Sequence, residues 1–78
     1  MPRKKWVVES SIEAPGGQVC VDIFRRWDES WGFEEYRRDP EDPHGWRQIG
    51  YHDHRMFPDR AACLSAACES VSWLSEVI

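Results

Sequence analysis

Apolar residues Leu64, Ala67, Cys68, Val71, Leu74 and Ile78 recur at helical spacing, while Ser65, Glu69, Ser72 and Glu76 fill the opposite stripe. The pattern predicts an amphipathic helix from Asp59 to Ile78, about 30 Å long at 1.5 Å per residue, with one buried face. Phe57-Pro58-Asp59 supplies its start, because an Asp side chain caps free backbone N–H groups and a preceding apolar side chain folds onto the first turn.

Upstream the period shortens to two. Trp6 to Glu13 alternates, with Trp6, Val8 and Ile12 on one side and Glu9, Ser11 and Glu13 on the other, and predicts a first strand. Ala14-Pro15-Gly16-Gly17 has the chemistry of a tight reversal, so a hairpin follows. Val19 to Trp27 predicts a second strand, with Val19, Val21 and Ile23 on its apolar side and Asp22, Phe24 and Arg26 facing away. After the polar turn Asp28-Glu29-Ser30, Trp31 to Arg38 predicts a third. Two registers satisfy its charges: Ile23 opposite Tyr36, with Arg25 across from Glu34, or Phe24 opposite Tyr36, with Arg26 across from Glu34.

Asp39-Pro40-Glu41-Asp42-Pro43-His44-Gly45 is acidic and twice interrupted by proline, which marks a loop. Trp46 to about Arg55 predicts a fourth strand, with Ile49 and Tyr51 on one side and Trp46, Gln48, His52 and His54 on the other. The expected fold is therefore α+β: a four-stranded antiparallel meander followed by one C-terminal helix packed on one sheet face, ββββα, in a single domain over residues 1–78. The helix should meet Val8, Ile12, Val19, Val21, Ile23 and Ile49. The uncovered face is expected to carry Phe24 and Trp46 with Phe33 or Tyr36.

Composition narrows the function classes. Ten Lys and Arg against 14 Asp and Glu give a net charge of −4, which argues against a chain built mainly to neutralise phosphates. The basic tail Met1-Pro2-Arg3-Lys4-Lys5 is expected to fray and is followed by no apolar leader segment. No run of about 20 apolar residues is present to span a membrane. Three cysteines, two of them projecting about 140° apart on the expected helix, suggest free thiols and a reducing cytoplasm.

Candidate chemistry is sparse. His52 and His54, two apart on the expected strand, would project from one face and are weak metal candidates, with His44 in the loop nearby. Cys63-x4-Cys68 lacks the close spacing of a zinc or redox site and reads as buried small hydrophobes. Glu34-Glu35 and Asp28-Glu29 read as solvated charge rather than an acid/base couple. No catalytic set, cofactor motif or phosphate loop is visible. The chain has the general look of a short bacterial protein. Its expected role is a non-enzymatic interaction or regulatory module whose surface, Phe24, Trp46, Phe33 and Tyr36, mediates homodimerisation or binds a protein partner. The alternative places single-stranded nucleic acid on an aromatic face lined by Arg25, Arg26, Arg37, Arg38 and Arg47.

Overall fold

Four strands, β1 (Trp6–Glu13), β2 (Val19–Arg26), β3 (Trp31–Arg38) and β4 (Trp46–Gln48), form one antiparallel sheet in chain order, followed by helix α1 (Arg60–Ser70). The computed structural model describes residues 6–41 and 45–78; the basic residues 1–5, expected to fray, and residues 42–44, part of the expected loop and including His44, lie outside them. The ββββα meander with its helix on one face is as the alternation and periodicity predict.

Each turn follows from its residues. In the β1–β2 reversal, the Gly17 N–H donates to the Ala14 carbonyl at 2.9 Å, and Gly16 and Gly17 both take positive φ. In the β2–β3 reversal, the Arg26 N–H donates to the Ser30 carbonyl at 2.8 Å, and Glu29 adopts φ 71°. That left-handed residue is the signature of a hairpin closed by a short loop. The Asp28 carboxylate accepts from the Ser30 hydroxyl at 2.7 Å and from its N–H at 3.0 Å, which holds the Asp28 carboxyl below its usual pKa.

This tight turn sets a register that differs from both expected ones. Asp22 faces Glu34, Phe24 faces Gly32 and Cys20 faces Tyr36. Neither arginine of β2 meets Glu34. The geometry of the turn, rather than charge pairing across the strands, fixes the alignment.

The helix face of the sheet carries Val21, Ile23 and Phe33, which pack with Cys63, Ala67, Val71 and Leu74. Val21, Ile23, Phe33 and Leu74 are fully buried, each contributing roughly 1.5–3 kcal/mol relative to exposure. Asp59 caps α1 by accepting from the Ala62 N–H at 2.8 Å, as its position predicts. The helix is shorter than the periodicity implies. It stops at Ser70, where Ser70-Val71-Ser72 joins low helix propensity to a β-branched residue, and Val71 turns to an extended backbone. A 3₁₀ turn at Leu74–Glu76 then brings Leu74 back into the core, so the apolar period outlasts the helix. Trp73 ties this segment down by donating from Nε1 to the Glu35 carboxylate at 3.2 Å. Ile78, expected in the core, is 55% exposed.

Two further expectations fail for local reasons. A register shift between Val8 and Ser10 places Glu9 in a bulge, so Trp6 and Val8 face away from the helix while Ile12 faces it. Val8 is accordingly 39% exposed. The fourth strand ends at Gln48, not near Arg55, and Ile49 is exposed. The chain leaves the β3 edge after Ile49 and Gly50 donate to the Glu35 carbonyl, then rejoins it where Phe57 and Trp31 exchange hydrogen bonds of 2.8 and 3.0 Å. Residues 50–56 form a loop around that edge.

Candidate functional site

The register defines a second, outer face of the sheet: Trp6, Val8, Ser11 and Glu13 from β1; Cys20, Asp22, Phe24 and Arg26 from β2; Gly32, Glu34, Tyr36 and Arg38 from β3; Trp46 and Gln48 from β4. Its two halves differ. One half is filled by the chain itself, the other is an open groove.

In the filled half, Trp6 stacks on Phe24 with ring centroids 4.5 Å apart, and the Arg26 guanidinium lies over the same ring at 5.0 Å. Arg26 then crosses Gly32 to donate from Nη1 to the Trp31 carbonyl and from Nη2 to the carbonyls of Asp53 and Arg55. Only a residue without Cβ permits this. A Cβ on Gly32 would lie 2.7 Å from the Phe24 ring and 2.8 Å from Arg26 Nη2.

Between the halves sits Glu34, fully buried. Its Oε1 accepts from Gln48 Nε2 at 2.9 Å, the His52 N–H at 2.6 Å and the Asp53 N–H at 2.9 Å; its Oε2 accepts from the Glu35 N–H at 2.9 Å. Gly50 passes so close that a Cβ there would meet Glu34 Oε2 at 2.7 Å. Glu34 thus gathers donors of the 50–56 loop while Arg26 gathers its acceptors. A buried carboxylate is tolerable because its lone pairs are so fully engaged.

The open half is a groove of about 340 Å³ lined by Ser11, Glu13, Cys20, Asp22, Tyr36 and Trp46, drawn from all four strands. Asp22 Oδ1 accepts from the Ser11 hydroxyl at 2.8 Å. Burial, then the neighbouring Asp22 carboxylate, pushes the Cys20 thiol up to about 11. Burial, then the carboxylates of Asp22, Glu34 and Asp53, pushes the Tyr36 phenol up to about 12. At the rim the Arg38 guanidinium lies over the Trp46 ring at 4.8 Å.

The residues singled out by sequence do not assemble as expected. Phe24 is 1% exposed beneath Trp6, and Phe33 is fully buried on the helix face, so neither presents a ring to a partner. Only Tyr36 and Trp46 of that set share the open groove. The arginines divide: Arg26 and Arg38 lie on the outer face, whereas Arg25, Arg37 and Arg47 align with Val19 and Val21 on the other. His52 and His54 sit in the loop rather than on a strand, so alternation no longer places them together. The His52 ring stacks on Phe33 at 4.8 Å, and His54 is exposed. Among the described residues, no group of three or more His, Cys, Asp or Glu is placed to hold a metal ion.

Sequence reasoning missed Glu34, read as solvated charge, and missed Ser11, Glu13, Cys20 and Asp22 as members of one groove. The Phe24–Tyr36 register would put the same side chains on one face but out of line; the observed register, set by a three-residue hairpin loop, is the one that sets Cys20 opposite Tyr36 and Asp22 opposite Glu34. Comparison with protein-family models, curated proteins and solved structures found no match.

Proposed function

We propose that this chain is a non-enzymatic protein-interaction module that works through the groove on the outer sheet face. One observation carries the reading: the chain fills half of that face with its own side chains and leaves the other half as an open, ring-walled groove. Mixed aromatic and polar lining of this kind suits recognition of a partner's side chains. The chemistry of the thiols supports a binding rather than a catalytic role. Burial raises both Cys20 and Cys63 to about 11, so each is a protonated, weakly nucleophilic thiol near neutral pH.

The test replaces Trp46 with a photo-crosslinking benzoylphenylalanine in cells that make the protein, with the same replacement of Glu69, on the exposed surface of α1, as the control. The expected result is a discrete adduct at position 46, absent at 69 and lost when Asp22→Arg fills the groove. An adduct of twice 9.2 kDa would identify the partner as a second copy of the chain, the homodimer expected from sequence. No adduct at 46, or the same adducts at both positions, would refute the proposal.

A further inference from the structure

We infer that the groove receives a cationic side chain, a guanidinium or ammonium group, from a partner protein. The inference rests on the interaction reading above and adds the chemistry of what is bound.

Three features of the groove converge on this class. Its carboxylates are not neutralised from within: the sole ion pair among the described residues is Arg25 with Glu9, at 3.8 Å, and involves neither Glu13 nor Asp22. Asp22 also stands directly opposite Glu34 across the β2–β3 pair. Like charges in that position destabilise a sheet, and the donors that satisfy Glu34 are amides, which carry no compensating charge. An incoming cation at Asp22 would relieve both carboxylates at once.

The rings supply the second feature. Tyr36 and Trp46 line the same groove, and aromatic faces attract cations through their quadrupole. Trp46 already demonstrates the compatibility, holding the Arg38 guanidinium over its face at the rim. Arg38 is otherwise directed to the Gly17 carbonyl, 3.4 Å from Nη2, leaving the groove floor to a visitor.

The third is electrostatic selection. Burial is the first cause that raises Cys20 and Tyr36, the Asp22 carboxylate is the next at both, and at Cys20 it outweighs the opposing Arg38 guanidinium, so the charge facing the groove is on balance negative. Phosphate-bearing partners and anionic membrane surfaces are repelled there. A partner's Arg or Lys is drawn in, and its carbon stem has Tyr36 and Trp46 to lie against.

The test uses the full chain with capped tripeptides, acetyl-Ala-Arg-Ala-amide and acetyl-Ala-Lys-Ala-amide, against acetyl-Ala-Glu-Ala-amide, in a titration followed by backbone and indole chemical shifts. The expected response to the basic peptides is confined to residues 11–13, 20–22, 36 and 46. Asp22→Asn should weaken it about fivefold, the scale of one solvent-accessible charge pair. Saturating arginine peptide, whose guanidinium stays charged at that pH, should also lower the Tyr36 phenol pKa, a change that binding elsewhere on the protein would not produce. Shifts spread equally over Glu9, Glu69 and Glu76, or no shifts, or a response unaltered by Asp22→Asn, would overturn the inference. A crosslink at position 46 without any response to the basic peptides would overturn the cationic class while leaving the interaction face standing.

Discussion

Replacing Glu34 tests how the fold holds the 50–56 loop. Glu34→Ala removes the acceptor for four N–H donors, from Gln48, Glu35, His52 and Asp53. A buried donor left without a partner costs about 1–3 kcal/mol. The half-buried Gln48 side chain can turn to water, and the 50–56 loop can open to hydrate the amides of His52 and Asp53, which caps the total. The expected loss is about 3–5 kcal/mol, comparable to breaking a buried charged contact. At roughly 0.05–0.15 kcal/mol per residue, that is much of the stability a chain of this size possesses. Glu34→Gln isolates the hydrogen-bond chemistry from the cavity. Its carbonyl can keep the three contacts at the Oε1 position, but its amide then points donors at the Glu35 N–H. That clash costs about 1–3 kcal/mol, less about 0.2–1 kcal/mol regained because Asp22 no longer faces a like charge.

Urea unfolding followed by tryptophan fluorescence measures both variants, with an unchanged slope as the check that compactness is unaltered. The order of stability should be wild type, then Gln, then Ala. Amide exchange at His52 and Asp53 should accelerate in Glu34→Ala well beyond what global destabilisation explains, because those N–H groups lose their acceptor directly. If Glu34→Ala loses under about 1 kcal/mol and both amides stay protected, the loop is held by something else, and the anchoring role assigned to Glu34 is wrong.

Other consequences are as direct. Gly32→Ala should destabilise by about 1–3 kcal/mol through overpacking, because the new methyl meets the Phe24 ring and Arg26 at 2.7–2.8 Å; calorimetric melting would detect it, and a neutral result would contradict the crossing of Arg26 over β3. Leu74→Ala should cost about 2–5 kcal/mol in chemical denaturation although Leu74 lies beyond α1, whereas the exposed Glu69→Ala should be nearly neutral; equal effects would misplace the core. Alkaline pH should destabilise the fold: Cys20 and Cys63 rise from 9.0 to about 11 and Tyr36 from 10.0 to about 12 on folding. A raised acid ionises first in the unfolded chain, so the stabilisation is intact below pH 9.0 and drains away as pH climbs toward 12. Stability that is flat over that window would refute the assignment.

The first three strands, the start of the fourth and the helix start were legible because alternation, turn residues and an Asp cap are local signals. What was not legible depends on single-residue events. The bulge at Glu9 inverts the faces of Trp6 and Val8 relative to Ile12, and nothing in Trp6-Val7-Val8-Glu9-Ser10 marks it. The helix end is similar: Leu74 and Val71 keep the apolar period after the backbone has ceased to be helical, because a 3₁₀ turn returns a side chain to nearly the same side. Periodicity reports which residues seek the core, and it does so through either conformation.

The site was hidden for a different reason. Its residues come from four strands, so their grouping follows from register, and charge pairing was the wrong guide to register. Pairing Arg25 or Arg26 with Glu34 would neutralise a surface carboxylate, but exposed ion pairs are worth about 0–1 kcal/mol, less than the Arg26–Ser30 turn with its Asp28 side-chain contacts can supply. The turn therefore wins, and Asp22 faces Glu34. That outcome is tolerable only because one carboxylate is withdrawn from water and satisfied by amides of the returning chain. Burying Glu34 in turn requires the chain to leave the β3 edge at Gly50, which is why the expected fourth strand stops at Gln48 and why His52 and His54 never share a strand face. The short hairpin loop, the buried acid, the truncated strand and the charged groove are thus linked steps. Deleting Trp27–Glu29, so that Ser30–Gly32 becomes the hairpin loop, would place Ile23 opposite Tyr36. It should simultaneously expose Glu34, free the 50–56 loop and abolish the elevated Tyr36 titration, whereas a change confined to the turn would refute that linkage.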